Sequence, residues 1–128
     1  RFLGMLLGPL WFGLAHDALA DPRVELRHAD VAEVIRASPA GFDAILMDVD
    51  NGADAFTTEG NRRLYEERGV RAAMAALRPG GVLAYWSADP EPRFEARLRG
   101  MGLRVEAVRV PAYPGSGSRH TVVLARSV

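Results

Sequence analysis

The chain reads as short apolar runs separated by polar turns, and the period of each run predicts its element. Arg23–His28 (RVELRH) alternates, with Val24 and Leu26 on one side, and predicts a short strand. Asp30-Val31-Ala32-Glu33 has the spacing of a helix start, with Asp30 as cap and Glu33 three residues on. That helix is expected to run to about Ala37, before Ser38-Pro39-Ala40-Gly41. Phe42–Asp48 is an apolar run too short for a typical helix and bounded by turn formers, so it predicts a buried parallel strand. Asn51–Gly60 is polar and irregular and predicts a loop. From Asn61 to about Leu77 the positions Leu64, Val70, Met74 and Leu77 fit one helical face, with Gly69 a weak point inside it. Arg78-Pro79-Gly80-Gly81 ends that helix, and Val82–Ser87 predicts a strand. A helix over Pro90–Met101, ending at Gly102, leads to strands at Arg104–Val110 and His120–Ala125. No helix separates these two strands, only the loop Pro111–Ser118, so they are expected to pair antiparallel.

Ahead of these elements lies an apolar run from Phe2 to Leu14, interrupted by Gly4, Gly8, Pro9 and Gly13. It is too short to span a bilayer. Ala18-Leu19-Ala20 resembles a signal-cleavage site, but the charged region before the run is only Arg1, so an amphipathic helix starting near Pro9 is expected. The full order, helix-β-α-β-α-β-α-β-β, argues for a parallel sheet with helices on both faces, closed by an antiparallel hairpin.

Composition narrows the function rather than the fold. The 128 residues fit one domain, 48% are hydrophobic and 25% charged, and the formal net charge is zero. That balance gives no electrostatic argument for nucleic acid or an anionic membrane as partner. With no cysteine, disulfides and thiolate metal sites are excluded, and His16, His28 and His120 lack zinc-ligand spacing, so no metal is expected. The chemistry concentrates where Phe42–Met47 ends in Asp48-Val49-Asp50-Asn51-Gly52. Ligands of open α/β sheets bind beyond the carboxyl ends of the strands, and a charge at the rim of an apolar strand needs a partner.

Several pieces in order carry a family resemblance. Ala76-Leu77-Arg78-Pro79-Gly80-Gly81-Val82-Leu83 resembles the LxPGGxL joint of class I S-adenosylmethionine-dependent methyltransferases. Leu19-Ala20-Asp21-Pro22-Arg23-Val24 followed by Asp30-Val31, the strand Phe42–Asp48, Asn61-Arg62-Arg63-Leu64-Tyr65 and Gly117-Ser118-Arg119-His120-Thr121 resemble segments of the spermidine synthase-like group, the polyamine aminopropyltransferases. The resemblance covers roughly Pro9 to Ser127. It implies a Rossmann-like class I methyltransferase fold, incomplete, with residues 1–128 forming a single partial domain. The Gly-rich loop, the first two strands and the amino-terminal β-domain have no counterpart in Arg1–Leu7. In the family's sheet order, 3-2-1-4-5-7-6, that leaves the strand at Arg23–His28 without its neighbour and the strand at Phe42–Asp48 with an exposed edge.

The resemblance also implies roles. Asp48 matches the acid that deprotonates the attacking amine and borders the co-substrate, and Asp30 matches the acid that contacts the adenine, a role compatible with capping. Asn51 occupies the place of the family's second acid and Asp50 stands one position before it, and these two are the substrate-binding candidates. Tyr65 and Trp86 read as core or wall residues and His120 as structural. The implied activity is aminopropyl transfer from decarboxylated S-adenosylmethionine to a small-molecule amine, in a cytoplasmic enzyme that could form a homodimer. The alternatives are methyl transfer from S-adenosylmethionine to a small molecule and a truncated, inactive domain.

Overall fold

The computed structural model describes residues 2–5, 19–48 and 62–128. The elements are β1 (Phe2–Met5), α1 (Val31–Arg36), β2 (Phe42–Asp48), a 3-10 turn (Arg63–Tyr65), α2 (Glu67–Ala76), β3 (Leu77–Ser87), α3 (Pro92–Gly100), β4 (Arg104–Pro111) and β5 (Arg119–Arg126). They build one five-stranded sheet in the order β1-β2-β3-β5-β4. β1, β2 and β3 run parallel, and β5 is antiparallel to both β3 and β4. The expected α/β fold with a closing antiparallel hairpin is present.

Strand periodicity sorts the sheet into two faces. Ile45, Leu83, Ala125 and Val105 form one row across it, and Met47, Tyr85, Val123 and Ala107 the next. Ile45, Leu83, Val123 and Ala125 are fully buried on this face. Ile35 of α1, Val70, Ala73 and Ala76 of α2, and Phe94 and Leu98 of α3 complete the same core. Each fully buried aliphatic side chain contributes about 1.5–3 kcal/mol. The opposite face carries the rows Leu46-Ala84-Leu124 and Asp48-Trp86-Val122, and Leu46 is half exposed.

Local chemistry fixes the helix ends. Asp30 accepts from the Ala32 amide at 2.8 Å and caps α1. Pro92 opens α3, where its missing N–H is no loss, and Gly102 closes it at φ +82°.

Three expectations need correction. Arg23–His28 forms no strand: Asp21 turns the chain through bonds to the Arg23 and Val24 amides, and Val24 and Leu26 lie exposed. The alternating pattern is real, but among the described residues no strand runs beside it to take up its amides. β2 does not leave an edge open, because β1 pairs with it from Phe2↔Ala44 to Met5↔Met47. The single helix from Asn61 to Leu77 is instead the 3-10 turn and α2, broken at Glu66, whose backbone is extended. Gly69 explains the break. A Cβ there would lie 2.1 Å from the Arg63 carbonyl oxygen, so the turn folds onto α2 only over a glycine.

β3 also begins earlier than expected, at Leu77. Phe42 pairs with Leu77 but Ala44 with Val82, so Arg78–Gly81 bulges out of the ladder. Gly80 turns the bulge at φ +80°, and Gly81 lets it approach the Asp43 carbonyl. The helix expected near Pro9 and the loop Asn51–Gly60 lie outside the described residues.

Candidate active site at the carboxyl edge of the sheet

β2 and β3 end side by side, with Asp48 paired to Trp86 and Ser87 one residue beyond. Asp48 is half-buried at this edge and shares its face with Trp86. The His120 ring meets the Trp86 ring edge-on, centroids 4.6 Å apart, which fixes one wall of the site. His120 is held as a packing residue, as its position at a strand start suggests.

Behind the edge, on the helix side, lies a polar corner that no sequence motif singles out. The Ser87 hydroxyl donates to Glu91 Oε1 at 3.1 Å and accepts from the Asp89 amide at 3.3 Å. Glu91 stands at the amino end of α3, where the helix dipole favours a carboxylate, and is 8% exposed. Thr121 faces Ser87 across the β3–β5 pairing. Tyr65 packs its ring against Tyr85 and Phe94, with centroids 5.1 Å and 5.2 Å away. Two bonds hold the turn that carries it: Tyr85 donates to the Leu64 carbonyl at 3.0 Å, and Arg97 Nη1 donates to the Tyr65 carbonyl at 2.8 Å. Burial, then the nearby negative charges of Glu91 and Asp48, push the Tyr65 phenol well above its ordinary range, so it stays a neutral hydroxyl. The Tyr65 Oη and Thr121 Oγ1 atoms are buried without a hydrogen-bond partner among the described residues.

Of the residues singled out from the sequence, Asp48 lies at the edge as expected. Asp30 is exposed at the start of α1, its carboxylate bonded to its own helix. The two acids stand on different elements. Asp50 and Asn51 lie outside the described residues. Ser87 had a signal that could have found it, since it ends an apolar strand just as Asp48 does. Thr121 had none, because it comes opposite Ser87 only through the β3–β5 register, and Glu91 had none, because its bond to Ser87 depends on the turn between β3 and α3. No group of three or more His, Cys, Asp or Glu side chains suited to a metal occurs among the described residues.

The sheet order matches positions 1-4-5-7-6 of the arrangement expected from the sequence, and β1 fills the first-strand slot, which corrects the expectation that both of the first two strands are missing. Solved structures carry the comparison further. A spermidine synthase in complex with the transition-state analogue AdoDATO superposes with a TM-score of 0.62 at 22% identity, over 97% of this chain and 43% of its own. The precorrin-6y C5,15-methyltransferase of Geobacter metallireducens GS-15 gives 0.61 at 19% identity, over 99% and 66%. The 1,6-didemethyltoxoflavin N1-methyltransferase of Burkholderia thailandensis, solved with S-adenosylhomocysteine, gives 0.60 at 22%, over 99% and 60%.

The chain has the class I methyltransferase fold.

It spans less than two thirds of the length of each of these structures. No protein-family model and no curated protein matches it. Among the described residues no helix is long and apolar enough to cross a membrane.

Proposed function

We propose that this chain is the carboxyl-terminal part of a spermidine synthase-like transferase, with Asp48 as the base that activates an amine acceptor. One observation carries the reading: a half-buried carboxylate ends an inner parallel strand of a class I transferase sheet, where such sheets bind ligands. The solved neighbours support S-adenosylmethionine or its decarboxylated form as co-substrate, since they include proteins bound to S-adenosylhomocysteine and to AdoDATO.

The chemistry follows from the acid. An alkylammonium has no lone pair and cannot attack carbon. Asp48 takes one N–H proton, and the freed pair on nitrogen forms the new C–N bond. The C–S bond of the sulfonium breaks, its electrons return to sulfur, and a neutral thioether leaves. Before the step, the carboxylate attracts the cationic amine and sets its direction of approach. Asp50 and Asn51 follow Asp48 in the chain and are proposed to hold the acceptor; Asp30 is proposed to contact the adenine while it caps α1.

Methyl transfer is the second reading, favoured by two methyltransferases that match this chain as well as the spermidine synthase does. The co-substrate that supports turnover separates the two. In either case Asp48→Asn should lower transfer by about 10²–10⁴-fold while leaving co-substrate binding largely intact. Unchanged turnover in this variant would overturn the assignment of the base.

A further inference from the structure

The segment Arg23–His28 is exposed at every position and carries an alternation that the sheet does not use. Val24 is 44% exposed and Leu26 74%, more than any other large apolar side chain among the described residues except Val128. Glu25 and Arg27 lie together on one side of the segment, where Arg27 Nε donates to Glu25 Oε1 at 2.7 Å. Residues two apart do not face each other on a helix, but they share one side of a strand. The pair therefore marks the segment as strand-like, with Val24, Leu26 and His28 on the other side. Among the described residues, the Val24 amide donates to the Asp21 carbonyl, and the Leu26, Arg27 and His28 amides enter no backbone hydrogen bond. An exposed, alternating segment with open backbone groups is a template for a further strand.

We propose that this segment is a dimerisation strand, which pairs antiparallel with the same segment of a second copy of the chain about a two-fold axis at Leu26. Charge selects the partner and the register. Facing side chains of an antiparallel pair share one side of the ribbon, so a symmetric pair is centred on a residue that faces itself. Centred on Leu26, the pairing sets Leu26 against the partner's Leu26, Val24 against the partner's His28 and Glu25 against the partner's Arg27. Each Glu25 keeps its own Arg27 and gains the partner's Arg27, so the four charges alternate in sign. Centring on Glu25 would set two carboxylates face to face, and centring on Arg27 two guanidiniums. Parallel pairing in register would do both. Like charges directly opposite one another destabilise a sheet. The other side of the ribbon brings the two Leu26 side chains together. The proposal is independent of the transferase reading, since it uses no residue of the sheet edge that carries Asp48.

The test follows association from about 10 μM to about 1 mM by sedimentation velocity and amide hydrogen exchange. A monomer–dimer equilibrium is expected. Residues 24–28 exchange freely in the monomer and gain protection only as the dimer forms. Glu25→Arg and Arg27→Glu each set like charges face to face at two positions and should weaken the dimer by about tenfold. Mixing these two variants should restore association, as should combining both changes in one chain. Both positions are exposed, so the variants are expected to fold. The chain has no cysteine, which allows a direct check of the axis. Leu26→Cys should oxidise to a disulfide-linked dimer, whereas Val24→Cys, which faces the partner's His28, should not. A chain that stays monomeric up to about 1 mM would overturn the proposal. So would single variants that dimerise as tightly as the original chain, a mixture of them that stays monomeric, or a Val24→Cys chain that cross-links as readily as Leu26→Cys.

Discussion

Gly69 shows how far one position can override local propensity. On helix propensity alone, alanine there would gain about 1 kcal/mol. The Arg63 carbonyl, 2.1 Å from where its Cβ would stand, reverses the sign. Gly69→Ala is expected to destabilise the chain by about 2–3 kcal/mol, the upper range of overpacking, as read by urea unfolding. The tyrosines add a pH dependence. Burial raises the Tyr65 and Tyr85 phenols above their unfolded value of 10, with Glu91 and Asp48 adding to it at Tyr65 and Tyr65 at Tyr85. The folded state therefore keeps protons that the unfolded state releases. Their contribution to stability is full below pH 10 and is lost as pH rises above it. Melting temperature should hold level up to about pH 10 and then fall, and Tyr65→Phe should flatten the fall. By contrast the Arg78–Asp43 pair, 3.1 Å apart with both side chains about half exposed, contributes little.

At the scale of elements, what was legible in the sequence was what local chemistry decides. Phe42–Asp48 forms β2 over the expected residues because an apolar run between turn formers has few alternatives. The Asp30 cap, Gly102 and the antiparallel β4–β5 pair were legible for the same reason. The misreadings all depend on contacts between elements. Arg23–His28 has the right alternation for a strand but no partner strand among the described residues. Leu77 fits the helical face by spacing, yet it pairs with Phe42 and begins β3. The 3-10 turn is held by bonds from Tyr85 and Arg97, which come from other elements. Of the candidate site, Asp48 was legible because it ends a strand, whereas Thr121 comes opposite Ser87 only through the β3–β5 register. Amide hydrogen exchange checks the first of these corrections. Residues 24–28 should exchange at rates near those of an unfolded chain, while β2 and β3 exchange only on global unfolding. Strong protection of residues 24–28 would contradict their placement outside the sheet.

At the scale of the molecule, the three described helices add their buried side chains to the same face of the sheet, and the carboxyl ends of β2 and β3 bring Asp48, Ser87 and Trp86 to one edge. The class I fold does not name the reaction, because the same fold occurs in methyltransferases and in a spermidine synthase. The central claim is that this edge is a co-substrate site. Calorimetric titration of the purified chain with S-adenosylmethionine, its decarboxylated form and methylthioadenosine tests it most directly. Micromolar binding of at least one of them is expected, largely retained in Asp48→Asn. A folded chain that binds none of the three would contradict the claim.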